Sequence, residues 1–227
     1  MTNNNMYFVA NWKMYGNIAD IDNSKSVIKL TRLKKYKKNK IIYCPPYTLL
    51  KYFSEKVKNS NISVGAQNCH LSSDYGPFTG SINSKLIKST GAKYVILGHS
   101  ENRRDGENDF HINKKIHSVI KENLNVIFCI GEKLSEKKKK VTYKVLKKQL
   151  TEGLKGVKKF ENIMIAYEPV WSIGTGKTPK KYELIKNINN IKKILIKLKK
   201  RKNMKILYGG SVNPNNAREL AQINEIN

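Results

Sequence analysis

The sequence predicts an α/β fold built on a parallel sheet, and three observations carry this prediction. Short apolar runs alternate with longer segments of helical periodicity along the 227 residues. Polar residues gather directly after the apolar runs, and no Gly-x-Gly-x-x-Gly follows the first run. At this length the alternation fits an open doubly wound sheet or a (βα)8 barrel, and the missing glycine motif weakens a dinucleotide-binding sheet.

Seven apolar runs are predicted to be strands, because buried parallel strands read as nearly continuous apolar segments. They cover residues 7–10, 41–44, 62–65, 94–97, 126–129, 163–166 and 206–208. Before the last run, apolar residues recur at helical spacing between lysines, at Leu184, Ile188, Ile191, Leu195 and Leu198. No linker or composition break divides the chain, so residues 1–227 are predicted to form one domain.

The charge is strongly positive, with 44 Lys and Arg against 17 Asp and Glu and a net charge of +27. A nucleic-acid binder and an enzyme steering an anionic substrate both fit such a charge. The lysines occur in runs beside predicted outer helices, without a stacking motif or a helix-turn-helix pattern. We therefore favour solvated helix faces, with electrostatic steering as a secondary effect and no nucleic-acid partner.

Other features favour a cytoplasmic protein without a membrane partner. No run of 18 apolar residues occurs, and residues 1–5 lack the pattern of a signal peptide. Of the three cysteines, Cys44 and Cys129 lie inside apolar runs and are expected to be buried thiols in a reducing compartment. No cysteine–histidine spacing indicates a metal, so none is predicted.

A carboxylate, Glu168, follows the sixth apolar run and precedes an apolar loop enclosed by two prolines. This arrangement is typical of a catalytic base beneath a lid at residues 169–179. The alternative is an ordinary strand-to-helix turn that happens to hold a glutamate, but such a turn would gain nothing from exposing Trp171 and Ile173. The lid residues are Pro169, Val170, Trp171, Ser172, Ile173, Gly174, Thr175, Gly176 and Lys177.

Other polar residues at strand ends complete a possible site. Lys13 supplies a positive charge, and Asn11 can donate a hydrogen bond. His99 precedes a helix start at Ser100, which favours a neutral imidazole that donates to a carbonyl oxygen. The segment 209–211, Gly-Gly-Ser, offers backbone N–H groups to phosphate. Together these groups predict proton abstraction beside a carbonyl in a phosphorylated substrate, without a covalent intermediate.

Seven segments in order resemble the triosephosphate isomerase family. They are 11–14 (Asn-Trp-Lys-Met), 65–68 (Gly-Ala-Gln-Asn), 78–80 (Phe-Thr-Gly), 98–101 (Gly-His-Ser-Glu), 128–132 (Phe-Cys-Ile-Gly-Glu), 166–179 and 208–212 (Tyr-Gly-Gly-Ser-Val). The resemblance covers almost the whole chain. It implies a TIM barrel that interconverts dihydroxyacetone phosphate and glyceraldehyde 3-phosphate through an enediolate, with neither a cofactor nor a metal.

The resemblance also implies residue roles. Glu168 would carry the proton between two substrate carbons, and His99 would polarise the carbonyl. Lys13 and Asn11 would bind substrate and stabilise the enediolate. The phosphate would be held by backbone N–H groups, at Gly174, Gly210 and Ser211. Residues Phe78, Thr79 and Gly80 resemble the family's dimer loop, which implies a homodimer.

Three departures from the family pattern are visible. Asn102 stands where the family usually has the first of two arginines, and Ser81 stands where it usually has glutamate. These two family residues can pair across the dimer, so a weaker interface is expected. The sequence given ends after a predicted helix at 213–220, where the family continues with an eighth strand, a Gly-Gly loop and a final helix. We therefore expect a barrel incomplete at its C-terminus. A truncated, weakly active or inactive remnant is the alternative.

Overall fold

The computed structural model describes residues 6–176, 178–198 and 204–227. Within them seven strands follow one another in chain order along the sheet, and the pairs β1–β2, β2–β3, β3–β4 and β6–β7 are parallel. Each strand contains one predicted apolar run, so the predicted strands are confirmed. Their bounds are β1 Tyr7–Asn11, β2 Lys40–Cys44, β3 Ile62–Ala66, β4 Tyr94–Leu97, β5 Asn125–Ile130, β6 Ile163–Tyr167 and β7 Lys205–Tyr208.

Helices separate the strands, as the α/β prediction requires. The α-helices are α1 Lys25–Thr31, α2 Leu50–Val57, α3 Ser84–Ser89, α4 Ser100–Arg104, α5 Asp109–Lys121, α6 Leu134–Lys138, α7 Thr142–Gly153, α8 Lys181–Lys197 and α9 Ala217–Ala221. Short 3₁₀ helices occupy Ala19–Ser24, Lys34–Tyr36, Tyr47–Leu49 and Val170–Ser172.

The described residues fall into two compact units. The first comprises 6–97 and 118–126 and contains β1 to β4. Its core includes Ile42 and Phe53, which are 0% exposed, and the ring of Trp12 meets that of Phe53 edge-on with centroids 5.5 Å apart. Edge-to-face contacts of this kind add stability beyond the buried area of the rings.

The second unit comprises 98–117 and 127–227, without the residues outside the described ranges, and contains β6 and β7. All five residues of β6 are buried. Leu184, Ile188, Ile191 and Leu195 on α8 are also buried, which confirms their predicted apolar stripe. Each such side chain removed from water contributes about 1.5–3 kcal/mol. The residues after β6 therefore follow a strand that is buried on both faces.

The last helix is shorter than predicted. A helix was expected over 213–220, whereas α9 begins at Ala217. Before it, the side-chain oxygen of Asn213 accepts from the amides of Asn215 and Asn216 at 2.9 and 3.2 Å. The Asn216 side chain in turn accepts from the Asn213 amide at 2.8 Å. Asparagine side chains that bond nearby amides favour turns over helix, which explains the late start.

All three cysteines are buried, as expected for Cys44 and Cys129. Burial raises the pKa of the Cys44 thiol to about 12. Across the described ranges, no helix combines the length and apolar character that a membrane crossing requires. The predicted absence of a signal peptide concerns residues 1–5, which lie outside those ranges. That residues 1–227 form one domain stays a prediction.

Candidate active site

Glu168 lies in the second unit, directly after β6, and only 5% of its surface is exposed. Its amide donates to the carbonyl of Ile130 at 2.7 Å, which continues the strand pairing by one residue. Its Oε2 accepts from the Ser100 amide at 3.4 Å. A Cβ atom on Gly209 would lie 2.6 Å from Cγ of Glu168, so only glycine leaves room for this carboxylate.

Burial raises the pKa of the Glu168 carboxyl above its ordinary value. Interactions with His99, Cys129, Ser100 and Arg103 act in the opposite direction without cancelling the effect of burial. A carboxylate that holds its proton more tightly than usual is a stronger base once it is ionised. The position of Glu168 therefore suits proton abstraction.

His99 is the N-cap residue of α4, which confirms the predicted helix start at Ser100. Its Nδ1 accepts from the backbone N–H of Glu101 at 3.3 Å. The Oε2 atom of Glu101 lies 3.4 Å from the same nitrogen, where it could only accept. The amide decides the tautomer, because a backbone N–H in a helix can only donate. The hydrogen of a neutral His99 is therefore on Nε2, which lies 3.8 Å from Oε1 of Glu168.

The predicted lid begins with the 3₁₀ turn Val170–Ser172 and continues as a loop. Gly174 and Gly176 are exposed and both have a φ of +69°, a conformation that glycine adopts without strain. The hydroxyl of Ser211 donates to the Ser172 carbonyl at 2.5 Å, which joins the lid to the segment after β7. Lys177, the last predicted lid residue, lies outside the described residues.

The start of the lid is anchored on Glu132, which directly follows β5 and Gly131 and is 1% exposed. Its Oε1 accepts from the indole Nε1 of Trp171 at 2.9 Å, and its Oε2 accepts from the hydroxyl of Tyr167 at 3.1 Å. Asn187 on α8 donates to that hydroxyl at 2.8 Å. Burial raises the pKa of the Glu132 carboxyl, although the hydrogen bonds from Trp171 and Tyr167 oppose the effect.

The expected exposure of Trp171 and Ile173 was wrong, since both are half-buried. Trp171 is drawn inward because its N–H reaches the buried carboxylate of Glu132, and an indole N–H needs such a partner when it leaves water. The lid was therefore predicted from an exposure that Trp171 and Ile173 do not have.

The glycine-rich segment after β7 differs in part from the predicted phosphate cradle. The Gly209 amide donates to the Tyr167 carbonyl at 2.8 Å and extends the β6–β7 pairing. It is therefore not a phosphate donor in this structure, which corrects the prediction for that residue. A Cβ on Gly210 would lie 2.4 Å from Oγ of Ser172 and even closer to the Tyr208 hydroxyl. Gly210 and Ser211 thus lie directly beside the lid.

In the first unit, Asn11 ends β1 and fixes the backbone of Lys13. Oδ1 of Asn11 accepts from the Lys13 amide at 2.9 Å, and the Lys13 carbonyl accepts from Nε2 of Gln67 at 2.7 Å. Lys13 has a φ of 53°, which is rare for a residue with a side chain. Gln67 also donates to the Cys44 carbonyl at 2.8 Å, so it links three segments.

The predicted dimer loop also belongs to the first unit. Phe78, Thr79 and Gly80 are exposed, and the ring of Phe78 lies 4.4 Å from that of His70. The base of the loop is fixed by Asp74, whose carboxylate pairs with Lys85 at 3.0 Å. An exposed loop tip on a fixed base is available to a partner surface.

Each unit thus assembles its own part of the predicted site. The second unit brings together His99 and Glu168, and places the lid beside Gly210 and Ser211. The first unit holds Asn11 and Lys13. Gln67 and Glu132 were assigned no role from the sequence. Both follow the end of a strand, which is the same signal that identified the other candidate residues. Among the described residues, no group of three or more His, Cys, Asp or Glu side chains could hold a metal ion.

Comparison with known proteins shows one family throughout. The triosephosphate isomerase family model matches residues 6–227. Triosephosphate isomerase of Dictyoglomus thermophilum is 41% identical over 224 residues, covering 96% of this chain and 89% of that protein. The enzyme of Carboxydothermus hydrogenoformans is also 41% identical, over 94% of this chain and 87% of that protein.

Solved structures agree. The crystal structure of triosephosphate isomerase from Bartonella henselae matches with a TM-score of 0.87 and 33% identity, covering 98% of this chain and 90% of that one. The match confirms the predicted α/β class and the TIM-barrel fold. The relatives support the isomerase interpretation and not that of a truncated remnant. The chain belongs to the triosephosphate isomerase family.

Proposed function

We propose that this isomerase interconverts dihydroxyacetone phosphate and glyceraldehyde 3-phosphate by proton transfer through an enediolate. Glu168 removes a proton from the carbon beside the carbonyl and returns it to the neighbouring carbon. His99 donates a hydrogen bond to the carbonyl oxygen and moves the hydroxyl proton from one substrate oxygen to the other, while Lys13 and Asn11 stabilise the negative charge of the enediolate. The reaction moves protons only and needs no cofactor.

The observation that carries the proposal is the arrangement of Glu168 and His99. The carboxylate is buried, with a raised pKa, and its Oε1 lies 3.8 Å from Nε2 of His99, the nitrogen that carries the hydrogen in a neutral ring. A base and a hydrogen-bond donor at this spacing can act on a carbon and on the oxygen bonded to it. Neither side chain can turn away without losing its bond to the backbone of α4.

The backbone strain at Lys13 supports its role. A non-glycine residue in the left-handed region costs of order 1 kcal/mol and persists where its surroundings enforce it. Asn11 and Gln67 enforce it here, one on each side of the Lys13 peptide. Such enforcement fits a residue whose charge must occupy one place.

The phosphate group would be held by backbone N–H groups of Gly174, Gly210 and Ser211. The lid, 169–179, would close over it and exclude water, which strengthens every charge interaction inside. The bond between Ser211 and the Ser172 carbonyl supports this role, because it already couples the lid to the phosphate segment.

The proposal extends to the setting of the enzyme. We propose a homodimer formed through Phe78, Thr79 and Gly80, supported by the exposure of these residues on a fixed loop. We further propose that the enzyme acts in glycolysis and gluconeogenesis, in the cytoplasm. Nucleic acids and membranes are not among its proposed partners.

A coupled assay tests the activity. Purified protein is supplied with dihydroxyacetone phosphate, and glyceraldehyde 3-phosphate is removed by its NAD-dependent dehydrogenase with a readout at 340 nm. We expect saturable turnover that disappears in Glu168→Ala. Absence of turnover in folded wild-type protein would refute the proposed function, and sedimentation of the same sample tests the dimer.

A further inference from the structure

Lys137 on α6 makes two contacts that the proposed mechanism does not use. Its Nζ lies 3.7 Å from the centroid of the Trp171 ring, within cation–π distance. The same Nζ lies 3.1 Å from Oε2 of Glu183. Both charged side chains are about a third exposed, at 33% and 30%, so solvent screens their attraction only in part.

These contacts join the start of the lid to the helix that follows it. Trp171 lies in the 3₁₀ turn near the start of the lid, and Glu183 lies in the first turn of α8, which begins two residues after the lid ends at 179. Lys137 belongs to neither segment. A single ammonium group on α6 therefore contacts the first turn of the lid and the helix after it, while Gly174 to Gly176 in the middle of the lid are exposed.

Trp171 is held from two sides. Its N–H donates to the buried Glu132 at 2.9 Å, and Lys137 lies over its face. The hydrogen bond fixes the position of the ring edge, while the ammonium fixes the tilt of the ring plane, since a cation is attracted to the face of an aromatic ring. The two contacts together restrict how the first turn of the lid can rotate.

We propose that Lys137, through Trp171 and Glu183, is a positioning residue that sets the geometry of the lid for the phosphate group of the substrate. The inference rests on the proposed function. Without the ammonium, the first turn of the lid is less ordered in the free enzyme. Substrate binding must then order it, and this free-energy cost weakens the binding of the phosphate group. Lys137 itself does not touch the substrate.

The test compares a substrate that the lid grips with one that it does not. Lys137→Met keeps the aliphatic length and removes the charge. We expect kcat/KM for glyceraldehyde 3-phosphate to fall about fivefold, because a displaced lid positions the phosphate group less well for reaction. Turnover of glyceraldehyde, which has no phosphate, should stay unchanged. Lys137→Arg should restore most of the loss, because guanidinium also stacks on indole and pairs with carboxylate.

A matched control is Lys138→Met on the same helix. Lys138 is exposed, and its replacement removes the same net charge without altering the contacts of Trp171 and Glu183. Glu183→Gln should reproduce part of the Lys137→Met effect. Melting temperatures, measured for all variants, show whether each protein is folded under the assay conditions.

A spectroscopic measurement detects the lid directly. The chain has two tryptophans, Trp12 and Trp171, so fluorotryptophan labelling gives two resonances that Trp171→Phe assigns. In Lys137→Met the Trp171 resonance should shift and that of Trp12 should not. An unchanged Trp171 resonance, equal losses for both substrates, or equal kcat/KM in the two methionine variants would overturn the proposal. Wild-type protein without isomerase activity would instead refute the proposed function.

Discussion

At the scale of single residues, Glu168 gives the sharpest test of the proposed chemistry. Glu168→Asp keeps the charge but withdraws the carboxylate by about one bond, roughly 1 Å. Near-attack geometry tolerates little displacement, so we expect kcat to fall about 100-fold with a small change in KM. Steady-state kinetics with dihydroxyacetone phosphate measures this effect. Turnover equal to that of the wild type would show that another group is the base.

The raised pKa of Glu168 predicts the pH dependence of activity. A base must be ionised to accept a proton, so kcat/KM falls as the pH drops through the raised pKa of the free enzyme. Its acid limb should therefore lie above pH 4.5, the ordinary value for a glutamate carboxyl. A limb at or below that pH would contradict the raised pKa.

The same shift predicts a pH-dependent cost in stability. The pKa of Glu168 is higher in the folded protein than in the unfolded chain. At a pH between these two pKa values, the folded protein therefore keeps a proton that the unfolded chain has lost. Stability from this group is thus greatest at low pH and is lost as the pH rises through the folded pKa. Glu168→Gln, which cannot ionise, should melt higher than wild type at pH 8, and the difference should narrow towards pH 4.5. A constant difference across this range would contradict the prediction.

At the scale of elements, the start of the lid depends on the bond between Trp171 and Glu132. Trp171→Phe removes the indole N–H and leaves Oε1 of a buried carboxylate without that donor. Such a loss costs about 1–3 kcal/mol, and a displaced lid should lower kcat/KM about tenfold. Thermal melts and steady-state kinetics measure the two effects.

Tyr182→Phe is a suitable control for this variant, because Tyr182 is 64% exposed on α8. It should leave both the melting temperature and kcat/KM unchanged. A Trp171→Phe protein that behaves like this control would show that the contact with Glu132 does not order the lid.

The sequence predicted the elements better than their contacts. The strands were predictable because apolar runs of strand length occur seven times, and Glu168 and His99 were chosen as candidates because each lies two residues after the end of such a run. The inward turn of Trp171 depends on Glu132, which is 39 residues away in the chain. The engagement of the Gly209 amide depends on β6. No local pattern encodes such partners, so folding decides them.

At the scale of the whole molecule, the net charge of +27 should affect rate and stability in opposite directions. Positive charge attracts an anionic substrate and destabilises the compact state through self-repulsion, and salt weakens both effects. Between about 0.01 and 0.15 M salt the Debye length falls from roughly 30 to 8 Å. Over this range kcat/KM for glyceraldehyde 3-phosphate should fall severalfold, while the melting temperature rises.

Uncharged glyceraldehyde is the control for this salt series, since it feels no steering. Its kcat/KM should stay constant while the melting temperature still rises. Equal salt dependence for the two substrates would assign the effect to the protein structure and not to attraction of the phosphate.

The buried cysteines can serve as built-in probes of local unfolding. A thiol must ionise to a thiolate and contact the reagent before it can be alkylated. Burial prevents both the ionisation and the contact. Labelling therefore occurs only when the surrounding structure opens. Cys44 lies in the first compact unit and Cys129 in the second. If residues 1–227 open as one cooperative domain, both thiols are alkylated at rates that report a single opening free energy, and mass spectrometry of the digested protein reads them separately.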